Sequence, residues 1–194
     1  MVRTISCERF NLVPVTPDNS GVLWEILQQP DLREFQDLPE IDAAQFRRTV
    51  AQRPQELKAQ VWGRFEWLIY PTEASDDSDR PWGWVSLRVS ERTPSIAEIG
   101  YSVVRAHRGR GVATEAVAAL AAEAFAVAGL RCLRAYCLPD NAASRAVLRR
   151  NGFRDDGVLR HGAIVAGRTV DVVAHSLRRE AHRDAVKARR ATRS

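Results

Sequence analysis

The chain has 194 residues, of which 45% are hydrophobic and 27% charged. That is the size and balance of one soluble domain with a real core, and it excludes a disordered, collagen-like or disulfide-stapled chain. The net charge of +5 lies entirely in residues 178–194, where seven basic side chains face two acidic ones, so the first 177 residues sum to zero.

In chain order, Phe10 to Val15 alternates like a first strand. Thr16-Pro17-Asp18 reads as a helix cap followed by a first-turn proline, and the helix carries Val22, Leu23, Ile26 and Leu27 until Gln29-Pro30 stops it. A second helical stretch begins near Asp42 and carries Phe46 and Val50. Val61 to Tyr70 and Trp82 to Val89 read as strands joined by an exposed turn at Ser75–Asp79. Ile96 to Val104 is a fourth strand. Residues 112–128 give the clearest helix, with Ala113, Ala116, Val117, Leu120, Ala124 and Val127 on one face. Cys132 to Leu138 is a fifth strand, and a helix from Asn141 ends at Asn151-Gly152. Residues 153–160 and 168–177 pair as a hairpin across a His161–Gly167 loop. The expectation is one α/β (α+β) domain over residues 1–177 and a basic C-terminal tail over 178–194.

No apolar run approaches the roughly 20 residues of a bilayer span, and the start lacks a signal-peptide core, so no membrane role and a cytoplasmic location are expected. Cys7, Cys132 and Cys137 have no zinc spacing and read as thiols in a reducing compartment. The histidines are scattered without carboxylate or cysteine at ligand spacing, and no metal is expected. A solvated terminal helix or frayed end is the expected form of the tail, which is also the one place where nucleic acid is foreseen as a partner.

The chemistry concentrates between Val103 and Glu115. A strand ends, a loop with Gly109 and Gly111 follows, and a long helix begins at once. Glycines let backbone amides approach a ligand, and a helix N-terminus offers unpaired N–H groups with partial positive charge. Together they suit a phosphate or pyrophosphate, with Arg108 and Arg110 beside it; a plain helix-starting turn is the alternative. A dinucleotide fingerprint fails at Thr114, its third glycine slot, and at Arg131, its acidic slot, and a P-loop lysine is missing. No nucleophile elbow is present.

Arg108-Gly-Arg-Gly-Val-Ala113 resembles the R/Q-x-x-G-x-G/A signature of the GNAT N-acetyltransferase superfamily. Glu98-Ile-Gly-Tyr101, Ala113-Thr-Glu-Ala116, Asn141-x-x-Ser144 and Asn151-Gly-Phe153 are similar to the branch with ribosomal-protein N-terminal acetyltransferases of the Rim type. The resemblance implies a mixed, splayed sheet of about seven strands with helices on both faces. It implies acetyl-CoA as co-substrate between the fourth and fifth strands. Its pyrophosphate would rest on Arg108, Gly109, Arg110, Gly111, Val112 and Ala113, and its pantetheine arm on the Val103 edge and Asn141. An amine acceptor, a protein N-terminus or a small amine, would attack the thioester directly.

Glu98 is the candidate base, against a plain exposed strand glutamate; it shares a strand face with Ser102, while Ile99, Tyr101 and Val103 share the other. Ser144 resembles the residue that protonates the leaving thiolate; the structural alternative makes Asn141 a cap and Ser144 a first-turn serine. Three departures stand out: Arg105 where the family often has proline, His175 where an aromatic residue is frequent, and the tail. None removes a cofactor-holding residue. Trp62, Phe65, Trp67, Trp82 and Trp84 read as core before pocket lining. A non-catalytic acyl-CoA-binding module is the rival reading, and the acceptor and oligomeric state stay open.

Overall fold

The computed structural model describes residues 2–33, 41–72, 80–165 and 167–191. Strands β1 (Ile5–Ser6), β2 (Phe10–Pro14), β3 (Gly63–Pro71), β4 (Gly83–Val89), β5 (Ile96–Val103), β6 (Cys132–Cys137), β7 (Arg154–Val165) and β8 (Arg168–Arg178) form one sheet. Its order is β1-β2-β3-β4-β5-β6-β8-β7. The expected seven strands become eight through the two-residue β1, which pairs Ile5 with Leu12. Helices α1 (Ser20–Leu27), α2 (Pro30–Arg33), α3 (Ala43–Ala51), α4 (Val112–Val127), α5 (Ala142–Arg150) and α6 (Arg179–Ala191) complete the fold.

Two cores sit on the two faces of the sheet. The helix predicted over 112–128 is α4; it buries Val112, Ala116, Val117, Leu120, Ala121 and Ala124 against Leu87, Ile99 and Leu133. On the other face, Leu23, Ile26 and Leu27 of α1 and Phe46 and Val50 of α3 pack on Leu68 and Trp84. Truncating a fully buried leucine such as Leu120 to alanine costs about 2–5 kcal/mol, since the surroundings collapse only partly. The one buried carboxylate among the described residues, Glu66, is paired with the nearly buried Arg53, as a charge removed from water requires.

Local chemistry explains where elements begin. Asp42 caps α3 by a reciprocal capping box: its carboxylate accepts from the Gln45 amide at 2.7 Å and the Gln45 side chain accepts from the Asp42 amide at 2.9 Å. The α1 start differs from the expected Thr16 cap. Asn19 accepts from the Thr16 amide at 2.8 Å and donates to the Pro14 carbonyl at 3.0 Å, so residues 16–19 form a turn and the helix begins at Ser20. The expected turn at 75–79 lies outside the described residues.

The expected His161–Gly167 loop is strand. β7 runs through to Val165 and only residues 166–167 connect it to β8. Irregular pairing between Leu159 and Ala163 absorbs the break, with His161 left-handed at φ 54° and its amide donating to the Asp171 carboxylate at 2.8 Å. Phe65, Trp67 and Trp84 are core as expected, whereas Trp62 is half-exposed and Trp82 stacks on His107.

What positions the site is a break in the sheet. β5 pairs antiparallel with β4 from Ala97 to Val103 but parallel with β6 only from Ile96 to Glu98. Beyond Glu98 the two parallel strands part, and the β6-side edge of residues 99–103 has no strand partner.

Candidate active site

At the wide end of that gap, β5 leads through a 3-10 turn (Arg105–His107) into the glycine loop. Gly109 (φ 74°) and Gly111 (φ 79°) are both left-handed, a conformation that favours glycine over residues carrying a Cβ. A Cβ on Gly109 would meet nothing within 4 Å, so the loop surface stays open there. Gly111 is the N-cap of α4 and has no side chain to cap with. The first-turn amides of Val112, Ala113 and Thr114 therefore have no partner within the helix. Arg108 folds back, its Nε donating to the Val103 carbonyl at 2.8 Å. The Arg108 amide is given to the Arg105 carbonyl, so the donors left to a ligand start after it, at the positive end of α4, which suits an anionic pyrophosphate.

Past the parting of the strands, α5 meets β5 through its first turn. Asn141 caps α5, its side-chain oxygen accepting from the Ser144 amide at 2.9 Å. The Ser144 hydroxyl lies 2.8 Å from the Tyr101 phenol oxygen of β5, and the phenol also reaches the Ser144 carbonyl at 3.2 Å. Burial pushes the Tyr101 phenol up to about 12, with the Ser144 hydrogen bond working the other way. Burial likewise raises the Cys137 thiol at the end of β6, against a hydrogen bond from Ser144. Asn151 ties the arrangement together, donating to the carbonyls of Thr114 in α4 (3.1 Å) and Val147 in α5 (3.0 Å).

Glu98 lies elsewhere. Its cross-strand partner is Arg88, whose guanidinium Nη2 stands 2.6 Å from the carboxylate. By strand alternation Glu98 shares the face of Trp84, on the α1–α3 side, whereas Tyr101 lies on the α4 side. The sequence residues therefore separate into a loop group (Val103, Arg108–Ala113), a gap group (Asn141, Ser144) and Glu98 on the opposite face of β5. Tyr101 was missed as a site residue; its alternation marked only its face, and its partner lies 43 residues away. Among the described residues no group of three or more His, Cys, Asp or Glu could hold a metal, and no helix is long and apolar enough to cross a membrane.

A strand parted from its parallel neighbour, a glycine loop and a helix start at the gap are the features that the GNAT resemblance leads one to expect. The acetyltransferase (GNAT) domain pattern matches residues 9–154, and the chain belongs to that family. It is an acyltransferase, with acetyl-CoA as co-substrate. It is 28% identical over 178 residues to an uncharacterized N-acetyltransferase, p20, of Bacillus licheniformis, covering 91% of this chain and 96% of that one. It is 35% identical over 95 residues to a putative ribosomal N-acetyltransferase, YdaF, of Bacillus subtilis, about half of each chain (49% and 52%). A structure of RimL, a ribosomal L7/L12 alpha-N-protein acetyltransferase in complex with coenzyme A, superimposes with a TM-score of 0.76 at 20% identity, covering 92% of this chain and 99% of that one. A ribosomal-protein-S5-alanine acetyltransferase from Vibrio fischeri gives 0.77 at 16% identity, covering 91% and 97%.

Proposed function

We propose that this acetyltransferase moves the acetyl group of acetyl-CoA to the primary amine of a protein N-terminus by direct attack. The observation that carries the chemistry is the Tyr101–Ser144 hydrogen bond inside the gap, beside the glycine loop. The amides of Gly109 to Ala113 hold the pyrophosphate, since the expected Arg108 amide is spent on the Arg105 carbonyl at 3.3 Å. The strand-free edge of β5 leading to Val103, with Asn141, holds the pantetheine arm like an added strand once the Arg108 side chain yields the Val103 carbonyl. That brings the thioester carbonyl between Glu98 on one face and Ser144 on the other.

The amine approaches from the α1–α3 side, and Glu98 takes its proton, exchanging Arg88 for the substrate ammonium. The amine nitrogen bonds the carbonyl carbon, the carbon–sulfur bond breaks, and the second nitrogen proton passes to solvent as the amide forms. The leaving thiolate needs a donor, and the Ser144 hydroxyl backed by Tyr101 is within the gap to supply one. A thiol has an ordinary pKa near 8.5, far below that of either hydroxyl. The pair therefore stabilises the thiolate by hydrogen bonding first and completes proton delivery as coenzyme A leaves, regaining its proton from solvent.

The protein N-terminus is favoured over a small amine by the Rim-type motifs and by the names of the ribosomal-protein acetyltransferases that share the fold. A location in the cytoplasm belongs to the same reading. The test is consumption of acetyl-CoA with N-terminal peptides against alkylamines. Turnover with alkylamines and none with peptides replaces the acceptor; binding of acetyl-CoA without turnover on any amine makes the chain a non-catalytic module.

A further inference from the structure

The glycine loop is held from outside by a residue about a hundred positions earlier. Arg9, in the turn between β1 and β2, reaches the start of α4. Its Nη1 donates to the Arg110 carbonyl at 2.9 Å, and its Nε donates to the Glu115 carboxylate at 2.9 Å. Its Nη2 stands 2.8 Å from the same carboxylate oxygen. One planar guanidinium thus bridges the loop and the first turn of the helix, a geometry that a lysine ammonium does not reproduce.

Both contacts bear on what the loop offers a ligand. Across a planar trans peptide, the carbonyl of one residue and the N–H of the next point in opposite directions. Fixing the Arg110 carbonyl toward Arg9 therefore turns the Gly111 N–H the other way, away from Arg9. Glu115 has an opposite effect on the site. A carboxylate in the first turn suits the helix dipole but repels an anion seeking the same positive end. Arg9 cancels that charge where it stands.

We propose that Arg9 is a positioning residue for acetyl-CoA: it orients the Arg110–Gly111 peptide and neutralises Glu115, so that the loop presents amide donors and positive potential to the pyrophosphate. This rests on the reading of the loop as the pyrophosphate cradle.

The experiment compares wild type, Arg9→Met, Arg9→Lys, Glu115→Gln and the Arg9→Met/Glu115→Gln pair by calorimetry with coenzyme A. Steady-state kinetics follow with acetyl-CoA and with S-acetylpantetheine, which lacks the pyrophosphate. Arg9→Met should weaken coenzyme A binding at least about tenfold and raise the acetyl-CoA KM with kcat within twofold. Arg9→Lys should recover part of that loss, as should the double variant, which removes the uncancelled charge. Kinetics with S-acetylpantetheine should not respond to Arg9→Met, a distinction that a merely structural role would not produce. If Arg9→Met does not fold, Glu115→Gln decides: coenzyme A affinity should hold or improve, and a loss beyond about fivefold overturns the proposal. Equal losses with both acyl donors, or unchanged affinity in folded Arg9→Met, also overturn it. Wild type that binds no coenzyme A removes the cradle reading and this proposal together, whereas binding that ignores Arg9 removes the proposal alone.

Discussion

The two faces of β5 are built differently. On the α4 side, Tyr101 is largely buried and bonded to Ser144, whose own amide is fixed by Asn141. On the α1–α3 side, Glu98 is more than one-third exposed and paired with the still more exposed Arg88. A hydrogen bond between partly buried groups fixed by a helix cap is preorganised, while an exposed ion pair is worth little and exchanges readily. On the proposed reading, the end of the site that would receive the departing thiolate is set in advance. The end that would receive the amine stays replaceable, which suits an acceptor that must enter and displace something.

The comparison holds only if the cofactor sits where both faces meet it, so the largest expected effect is at the loop. Gly111→Asp adds a negative side chain at the helix start and a Cβ where φ is 79°. Coenzyme A affinity should fall more than about 100-fold by calorimetry, with the fold retained by circular dichroism. Unchanged affinity in the folded variant would leave neither face of β5 with a thioester to act on.

Next come the two hydroxyls of the gap. Removing one preorganised donor to a full oxyanion costs about 10²–10³-fold, and a thiolate is a better leaving group that needs less help. Ser144→Ala and Tyr101→Phe should each lower kcat by about 10- to 100-fold with the acetyl-CoA KM nearly unchanged. The two losses should not multiply in the double variant, because the groups act as one unit. Additive losses would separate them. Tyr101→Phe has a second readout. The folded phenol titrates at about 12 rather than the ordinary 10, so its contribution to stability is complete below pH 10 and is lost as pH rises toward 12. That loss is roughly 2–3 kcal/mol at about 1.4 kcal/mol per pH unit, and alkaline denaturation of Tyr101→Phe should not contain it.

The sequence made one face far more legible than the other. Residues 96–153 could be read because their information is local: glycines at fixed offsets, a helix whose apolar spacing repeats, and an Asn-Gly stop whose Gly152 is left-handed at φ 80°. The face of Glu98 followed from alternation, and its candidacy as base from the family resemblance. Tyr101 meets Ser144 only when α5 packs beside β5, and Arg9 meets Glu115 only when β1 and β2 fold beside α4; neither contact leaves a trace in residue spacing. Two misreadings have the same origin. Thr16-Pro17 imitates a cap, but Asn19 spends its side chain on the turn, and His161-Gly162 imitates a loop that Asp171 of the partner strand converts into a bulge.

Glu98→Gln sharpens the exposed side and should cost less than the gap variants. The loss should be about tenfold near pH 6.5 and shrink toward pH 9, as the amine loses its proton without help. For a peptide N-terminus, with an ordinary pKa near 7.7–8.0, recovery should be nearly complete by pH 9; for an alkylamine near 10.4 it should not begin. The same variant thus reports both the base and the acceptor class. A flat pH profile would strike Glu98 from the reaction.

The smallest effect on turnover should come from the C-terminal helix. α6 is attached at its first residues: the Arg179 amide donates to the Arg131 carbonyl at 3.0 Å, and its guanidinium donates to the Phe125 carbonyl at the end of α4. The His182 ring then lies 5.2 Å from the Phe125 ring, covering a side chain that is nearly buried. Deleting residues 180–194 keeps the Arg179 contacts, removes the ring pair and lowers the net charge from +5 to +2. An aromatic pair of this kind is worth about 0.5–1.5 kcal/mol, which for a chain of this size lowers Tm by roughly 1–6 °C. Coenzyme A affinity and turnover of a short N-terminal peptide should stay within about twofold, since Val103, the glycine loop, Asn141 and Ser144 are untouched. If a folded acceptor docks through the positive charge of α6, turnover of that whole protein should fall and lose its salt dependence while the peptide rate holds. Loss of coenzyme A binding in the truncated, folded protein would instead make α6 part of the active site, and the exposed face of β5 would no longer be its only adaptable side.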